Sequence, residues 1–235
     1  INKTMQTNAT RFISAYNKID KVLRARHGLK SGVSFNEVVR KSAAYSAIVR
    51  KYEDELIGYA RLRNAIVHNS DDKMIIAEPH TSLVEHIEHI ADVLLAPPLA
   101  VTHSHGALTL AHGVPLIKAV KTMTDGGYSN VPVIKNGEIA GVTTNKLIVE
   151  YVARNLKSGN LDELFHKASV FETLSAKTDH FEIMRADVTV DDVLDAFSKN
   201  PKLQIVILTQ DGTAKGTIKG VLTTGDIIKL NDLLF

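Results

Sequence analysis

A hydroxyl and a carboxylate stand at a fixed spacing near the C-terminal end of the chain, in the stretch Gly220-Val221-Leu222-Thr223-Thr224-Gly225-Asp226. A glycine and two apolar residues lead into Thr223, and the carboxylate of Asp226 follows three residues later. This order is typical of a buried strand that ends where a helix begins, beside the free N–H groups of the helix N-terminus. Such a place can hold the ribose and phosphate of a nucleotide. The alternative is structural: Thr223 caps the helix, and Asp226 interacts with the helix dipole.

The same order of residue types occurs once more in the chain. The stretch from Gly141 to Leu147 begins 79 residues before Gly220 and has Thr144 at the position of Thr223. It ends in a leucine where the later stretch has its carboxylate. This repetition predicts two copies of one supersecondary unit.

A second group that could do chemistry is Arg63-Asn64-Ala65-Ile66-Val67-His68, near the end of a predicted helix. Five residues turn an ideal helix through about 500°, so Arg63 and His68 point about 140° apart, whereas Asn64 and His68 share a face. One copy is therefore poorly arranged to surround a phosphate, and two copies brought together in a dimer would do better. The alternative is that Arg63 and His68 satisfy the last carbonyl groups of the helix.

Two further pairs of histidines have spacings that could be functional. His103 and His105 alternate on a predicted extended segment, and His86 and His89 lie three apart on a helix, a spacing that can bind a metal ion. Neither pair has a third ligand nearby in sequence. We therefore predict no metal site and interpret these residues as surface or linker histidines, with His103 a neighbour of the site at Asp226.

The composition excludes several classes of protein. The 235 residues carry a net charge of only +2, so any contact with nucleic acid must be local. The absence of cysteine excludes disulfides, thiolate metal sites and a cysteine nucleophile, and it fits a cytoplasmic location. No apolar run approaches the roughly 20 residues that span a bilayer. We expect a cytoplasmic protein without a membrane partner, and the start at Ile1 predicts further residues upstream.

The periodicity predicts an all-helical unit over residues 1–96. Helical spacing of apolar residues runs from residue 1 to about 28, where His27-Gly28 provides a stop signal. A capping signature at Ser34-Phe35-Asn36-Glu37 opens a second helix. Its apolar stripe, which includes Tyr45, continues unbroken to Ile66. A short apolar run at Met74-Ile75-Ile76 follows, and then a helix from Pro79 to Pro97-Pro98.

After the two prolines, short apolar strands alternate with helices, twice in the same β-α-β-β-α order. The first copy is predicted to begin with strand Leu108–Leu110 and a helix that starts at Pro115 and ends at Gly126-Gly127. Strands Ser129–Ile134 and Ile139–Thr143 follow around an Asn136-Gly137 turn, and then a helix to Leu156. Residues 157–178 are predicted as a connecting segment. The second copy has a strand near Ile183, a helix opened by Thr189 and Asp192, strands Gln204–Leu208 and Ile218–Leu222, and a last helix.

Residues from about 99 to 235 resemble a pair of CBS domains, tandem modules that sense adenine nucleotides. The residues that carry the resemblance are Asn130-Val131-Pro132-Val133-Ile134 with Gly141-Val142, and Ile205-Val206-Ile207-Leu208 with the Gly220 to Asp226 stretch. Together with the helical unit at 1–96, the resemblance implies an α+β chain in which residues 97–235 form a pseudo-twofold CBS pair. Repeat 1 covers about 99–156 and repeat 2 about 179–235.

The resemblance also implies a ligand site. The aspartate would accept hydrogen bonds from ribose hydroxyls, and the threonines before it would contact ribose or phosphate. The implied ligand-binding residues are Thr223, Thr224 and Asp226 from the second repeat and Thr102, His103, Tyr128 and Ser129 from the first. The other cleft has Thr144 but Leu147, which cannot accept from ribose, so we expect it to be empty or to bind another molecule.

The number of phosphates follows from one departure. Adenylate-binding members often carry a basic residue where this chain has Gln204, and Lys202 lies close by on an undetermined side. The resemblance therefore implies AMP, adenosine or an adenosyl ligand as a regulatory ligand, and no required cofactor.

The Arg63 to His68 stretch resembles the R-x-x-x-x-H motif of HEPN domains, and Asn64 supplies the polar residue that follows the arginine in that motif. The resemblance implies a homodimer and metal-independent RNA cleavage, in which His68 moves a proton and Arg63 stabilises phosphorane charge. Many HEPN domains are instead non-catalytic, and Ser70 stands where some related toxins have a tyrosine.

Three hypotheses follow. The chain is a regulatory protein whose CBS pair binds an adenine nucleotide and acts on a dimeric HEPN-like unit; or an RNase with Arg63, Asn64 and His68 in its active site; or a module whose helical unit only dimerises or docks a partner.

Overall fold

The computed structural model of the chain describes residues 7–30, 32–68, 78–155 and 160–235. The chain divides into two compact units. The first consists of Ile1–Pro98, Thr189–Asp195 and Asn231–Phe235, and the second of Leu99–Val188 and Ala196–Leu230.

The described part of the first unit is helical. It contains α1 (Asn8–His27), α2 (Phe35–Ala43), α3 (Ala47–Lys51), α4 (Glu53–His68) and α5 (Thr81–Leu95). Helix α1 ends as predicted, because Gly28 adopts the left-handed conformation with a φ of 59° that closes a helix. Helix α2 also begins as predicted, since the Ser34 hydroxyl accepts a hydrogen bond from the N–H of Glu37.

The prediction of one long helix from the capping signature onward is wrong. The chain breaks into α2, α3 and α4, and the first break occurs at Ser46, whose backbone is extended with φ −142° and ψ 122°. The Ser46 hydroxyl accepts from the N–H of Val49 and donates to the buried carboxylate of Asp191 at 2.7 Å. With the helix interrupted here, Ser46 caps α3 and also donates a hydrogen bond to the carboxylate of Asp191. Tyr45, predicted on the apolar stripe, is 68% exposed. The predicted run Met74-Ile75-Ile76 lies outside the described residues.

The core of the first unit follows the predicted spacing on α1 and α5. Phe12, Ile19 and Leu23 on α1 and Ile87 and Ile90 on α5 are fully buried. Burying each side chain of this kind contributes about 1.5–3 kcal/mol.

The second unit contains two three-stranded sheets of the same topology. The strands are β1 (Leu110–Ala111), β2 (Asn130–Lys135), β3 (Glu138–Thr144), β4 (Phe181–Arg185), β5 (Ile205–Thr209) and β6 (Ile218–Thr223). In each sheet the central strand pairs in parallel with the first strand and antiparallel with the third. Along the chain, the strands alternate with helices α6 (Leu116–Gly126), α7 (Asn145–Asn155), α9 (Val190–Lys199) and α10 (Ile227–Leu234) in the predicted β-α-β-β-α order twice. The ranges Thr189–Asp195 and Asn231–Phe235, which include parts of α9 and α10, belong to the first unit.

The hairpin registers place the two threonines of the repeated stretch at equivalent positions. Asn130 pairs with Thr144, and Ile205 pairs with Thr223, so each threonine ends the third strand of its sheet. The first hairpin turns as predicted at Asn136-Gly137, where both residues have positive φ.

The connecting segment contains structure that the sequence pattern does not predict. It holds α8 (Leu161–Lys167) and a 3₁₀ turn at Val170–Thr173. Helix α8 has no fully buried residue, although Leu164 and Phe165 are partly buried against the core of the first sheet. Its 7 residues are too few for a helical period to be distinguished in the sequence. Asn160 caps it by accepting from the N–H groups of Asp162 and Glu163. In the part of the chain that the structure describes, no helix combines the length and apolarity needed to cross a bilayer.

Candidate functional site

A cavity of about 390 Å³ lies in the second unit where the strand-to-helix stretch meets the end of α6. Thr223, Thr224 and Gly225 form one wall, and the range Tyr128–Asn130 forms another. His105 also lines it. The apolar part of the lining comes from Leu108, Pro132, Ile205 and Val221. This volume is at the small end of the roughly 300–1,000 Å³ of small-molecule sites, which suits a compact ligand.

The strand-to-helix stretch brings Thr223 to this cavity and holds the Asp226 carboxylate against two residues that line it, Thr223 and His105. Strand β6 ends at Thr223, and a 3₁₀ turn at Thr224–Asp226 leads directly into α10. The Oδ2 atom of Asp226 accepts hydrogen bonds from the backbone N–H of Thr223 at 2.8 Å and from its hydroxyl at 3.0 Å. These contacts form a capping box between Thr223 and Asp226, and they also fix the carboxylate in place.

The Asp226 carboxylate is buried and ionised. The residue is only 7% exposed, and its Oδ1 atom accepts a hydrogen bond from His105 Nε2 at 2.8 Å. Burial alone would raise the pKa of Asp226, but the hydrogen bonds from Thr223 and His105 outweigh it and hold the pKa below its usual range. Asp226 is therefore an acceptor at neutral pH.

His105 is held in place by the third strand of the second sheet. Its backbone N–H donates to the carbonyl of Val221 at 3.0 Å, and the N–H of Val221 donates to the carbonyl of His105 at 2.9 Å. Gly220 permits this pairing, because a Cβ there would overlap Ser104 Oγ and lie 2.8 Å from Ser104 Cβ. A residue 121 positions before the aspartate in sequence thereby reaches its carboxylate.

The two glycines at the end of α6 position Tyr128. Gly127 is left-handed with a φ of 68°, and the N–H of Tyr128 closes the helix on the carbonyl of Met123 at 2.8 Å. A Cβ on Gly126 would lie 2.5 Å from ring atom Cδ2 of Tyr128. The aromatic ring can therefore lie against the helix end only because Gly126 has no side chain.

Asn130 brings an unused acceptor to the same cavity. Its Oδ1 atom is buried and has no hydrogen-bond partner among the described residues, although Asn130 lines the cavity. Buried polar atoms are nearly always paired, so an unpaired one beside a cavity points to a missing donor. The sequence pattern indicates only a strand at Asn130, so it does not single this residue out as a ligand contact.

Thr102 and His103 do not line this cavity. Both lie in a 3₁₀ turn at Ala100–His103, where the Thr102 hydroxyl donates to the carbonyl of Leu99 at 2.7 Å. The extended segment predicted for His103 and His105 is thus a turn at His103. The residue from this region that lines the cavity is His105.

A second cavity, of about 440 Å³, lies beside the equivalent stretch of the first repeat. Thr144 accepts a hydrogen bond from the N–H of Leu147 at 3.1 Å, so it caps its helix there. Lys202 and Gln204 line this second cavity, and Lys202 pairs with Asp179 at 2.9 Å. The sequence does not show which cleft Lys202 faces, and in the structure Lys202 lines the second cavity.

The two cavities differ in charge. Three lysines line the second, at Lys146, Lys177 and Lys202. None of the described residues that line the first is a lysine or an arginine. The expectation of few phosphates at Asp226 therefore no longer rests on Gln204, which lines the second cavity. It rests on the absence of basic side chains among the described residues that line the first cavity.

The Arg63 stretch lies in the last turns of α4. Arg63 Nη1 donates to the Oδ1 of its neighbour Asn64 at 3.4 Å, and Arg63 Nε is buried without a partner among the described residues. His68 is the last residue of α4, and its side chain lies outside what the structure describes.

The paired histidines of α5 have separate partners. His86 Nδ1 lies 2.7 Å from the Tyr59 hydroxyl, and His89 Nε2 lies 3.4 Å from the carbonyl of Leu234. Among the described residues, no group of three or more side chains could hold a metal ion.

Comparisons with known proteins agree with part of the sequence resemblance. The CBS domain family model matches residues 97–154, which contain the first sheet with α6 and most of α7. The comparison with curated proteins gave no match.

Solved structures similar to this chain include CBS-domain proteins. The CBS domain pair of MJ0100, in complex with 5′-methylthioadenosine and S-adenosyl-L-methionine, aligns at 20% identity over 58% of this chain and 97% of that chain, with a TM-score of 0.45. MJ1225 from Methanocaldococcus jannaschii aligns at 14% identity over 72% and 62%, with a TM-score of 0.47. CbpB in complex with c-di-AMP aligns at 16% identity over 64% and 94%, with a TM-score of 0.48.

Proposed function

We propose that this chain is a regulatory protein whose first cavity binds an adenine nucleoside or mononucleotide. The observation that carries the proposal is a single cavity lined both by Tyr128 and by the strand-to-helix stretch. The Asp226 carboxylate lies next to that lining, where it accepts hydrogen bonds from Thr223 and His105. The family match over residues 97–154 supports it.

The walls of the cavity suit the parts of such a ligand. The ring of Tyr128 and the apolar lining offer surfaces for a base. The unpaired Oδ1 of Asn130 offers an acceptor for an exocyclic amine such as that of adenine. The hydroxyl of Thr223 and the carboxylate of Asp226 would receive the ribose hydroxyls.

The phosphate would lie at the start of α10. Thr224 and Gly225 line the cavity there, and backbone N–H groups at a helix N-terminus attract an anion. Since no basic side chain lines this cavity among the described residues, we infer at most one phosphate rather than a triphosphate. Adenosine, AMP or an adenosyl compound is the proposed ligand class.

Isothermal titration calorimetry with AMP and adenosine tests the proposal, with GMP as the control ligand. Asp226→Ala should weaken binding about tenfold to a hundredfold, the expected loss of charge-assisted hydrogen bonds. The matched control is Leu147→Ala, which changes the equivalent position of the other repeat and should leave the affinity unchanged. Thermal melts followed by circular dichroism verify that both variants fold. Equal affinity in Asp226→Ala would remove the site assignment, and a loss confined to Leu147→Ala would move the ligand to the second cavity.

A second candidate function concerns the helical unit. We propose that it is HEPN-like and that Arg63, Asn64 and His68 contribute to RNA cleavage in a homodimer. The favouring observation concerns the guanidinium of Arg63. Among the described residues it donates to the Oδ1 of Asn64 at 3.4 Å, and its buried Nε has no partner there. A buried donor without a partner fits a guanidinium that awaits an anionic group.

A cleavage assay on single-stranded RNA in the presence of EDTA tests this second function. His68→Ala and Arg63→Ala should abolish cleavage, whereas Arg61→Ala, an exposed arginine on the same helix, should retain it. If the wild type does not cleave, or all variants cleave equally, the helical unit is a dimerisation or docking module. Sedimentation analysis then decides whether it dimerises, and adding AMP tests whether the ligand changes that state.

A further inference from the structure

One interaction at the proposed site involves a residue with no assigned role. We propose that His105 occupies, in the ligand-free protein, the carboxylate oxygen that the ribose hydroxyls would use, and that it thereby sets how strongly the site discriminates for ribose. This inference rests on the proposed nucleoside binding at Asp226.

The two oxygens of Asp226 have different partners. Oδ2 accepts both hydrogen bonds from Thr223, which belong to the turn itself. Oδ1 accepts the 2.8 Å hydrogen bond from His105 Nε2. His105 lines the cavity and Asp226 does not, so the imidazole lies between the cavity and the carboxylate.

The imidazole can leave this position without disturbing the fold. Its side chain is 60% exposed, whereas that of Asp226 is 11% exposed. The backbone of His105 is fixed by its two hydrogen bonds to Val221, so only the side-chain torsions need to change. A ribose hydroxyl that donates to Oδ1 would then replace one hydrogen bond with another.

This exchange makes a distinctive prediction for affinity. In the wild type, ribose binding gains a bond to Asp226 but loses the one from His105. When the imidazole is removed, ribose binding gains its bond without that loss. If His105 only held Asp226 in position, removing the imidazole would leave Asp226 less well positioned and would lower the preference for ligands with ribose hydroxyls. A stacking role predicts an equal loss for ligands with and without ribose hydroxyls.

The test is isothermal titration calorimetry of adenosine and 2′,3′-dideoxyadenosine against the wild type and His105→Ala. The measured quantity is the ratio of the two affinities, which cancels contributions from the base. We expect His105→Ala to raise the preference for adenosine about threefold to tenfold, the worth of one hydrogen bond. His166→Ala, an exposed histidine on α8, is the matched control and should leave the ratio unchanged. In the Asp226→Ala background the effect of His105→Ala should vanish.

The outcomes separate this inference from the function on which it rests. Adenosine binding with an unchanged or lowered ratio in His105→Ala overturns the role of His105 and leaves the proposed function standing. An effect of His105→Ala that persists without Asp226 also overturns it. If neither nucleoside binds any of the proteins, both proposals fail.

Discussion

The pairing of the His105 segment with strand β6 depends on the absence of one side chain, and Gly220→Ala tests this directly. The new Cβ would overlap Ser104 Oγ and lie 2.8 Å from Ser104 Cβ and 3.3 Å from the carbonyl oxygen of His105. The hydroxyl can rotate away, but the Cβ and the backbone cannot. We therefore expect the segment to move off the strand, which breaks the two hydrogen bonds between His105 and Val221.

The magnitude follows from these contacts. Overpacking costs about 1–3 kcal/mol, and each lost backbone hydrogen bond costs about 0.5–1.5 kcal/mol net. Because relief of the overlap and loss of the bonds are alternatives in part, we expect a total loss of about 2–4 kcal/mol in the free energy of unfolding. That is a large share of the roughly 5–15 kcal/mol of a typical domain.

Two measurements check this prediction. Urea unfolding should show a lower midpoint, and hydrogen exchange should be faster at the amide of Val221, whose N–H donates to His105. Gly225→Ala is the control, since its Cβ would meet Thr223 Oγ1 at an ordinary 3.5 Å. Ser104→Gly combined with Gly220→Ala removes the overlap and should recover most of the loss. If Gly220→Ala behaves like Gly225→Ala, or if Ser104→Gly gives no recovery, the close approach is not what holds His105.

Three further predictions concern pH, capping and the aromatic wall. The pKa of Asp226 is lowered in the folded protein, so the unfolded chain binds the proton at a higher pH; stability is present above about pH 4 and is lost as the pH falls through the folded pKa. In Asp226→Asn, the urea midpoint should fall less with decreasing pH than it does in the wild type. An equal fall in the two proteins would contradict the assignment. Ser46→Ala removes a buried helix cap that also donates to a carboxylate, and it should lower the free energy of unfolding by about 2–3 kcal/mol. Ser34→Ala removes an exposed cap and should lower it by about 1 kcal/mol. Equal losses for the two variants in urea melts would refute this difference. Gly126→Ala should displace the tyrosine ring on the cavity wall and weaken adenosine binding in calorimetry, whereas Gly113→Ala, with open space around its Cβ, should not.

Local signals in the sequence predicted much of the fold. The hairpin at Asn136-Gly137 and the helix stops at Gly28 and Gly127 depend on residues a few positions apart. The Gly220 to Asp226 stretch likewise folds as a strand followed by a helix start, because its capping bonds span only three residues. The repeat then doubled the evidence for each strand.

Where prediction failed, the deciding contact came from far away in sequence. The helix break at Ser46 is stabilised by the carboxylate of Asp191, 145 residues later, and no helical period records it. Helix α8 escapes prediction for a different reason: with 7 residues it is too short for its apolar spacing to show a helical period.

The site shows the same division. The residue pattern alone places a hydroxyl and a carboxylate together at a strand-to-helix junction, because that arrangement is local. Long-range packing selects His105 rather than His103 as the partner of the carboxylate, and it assigns Lys202 to the second cavity. Strand pairing across 116 positions, between His105 and Val221, sets which side chains face a cavity, and a shift of two residues changes the partner.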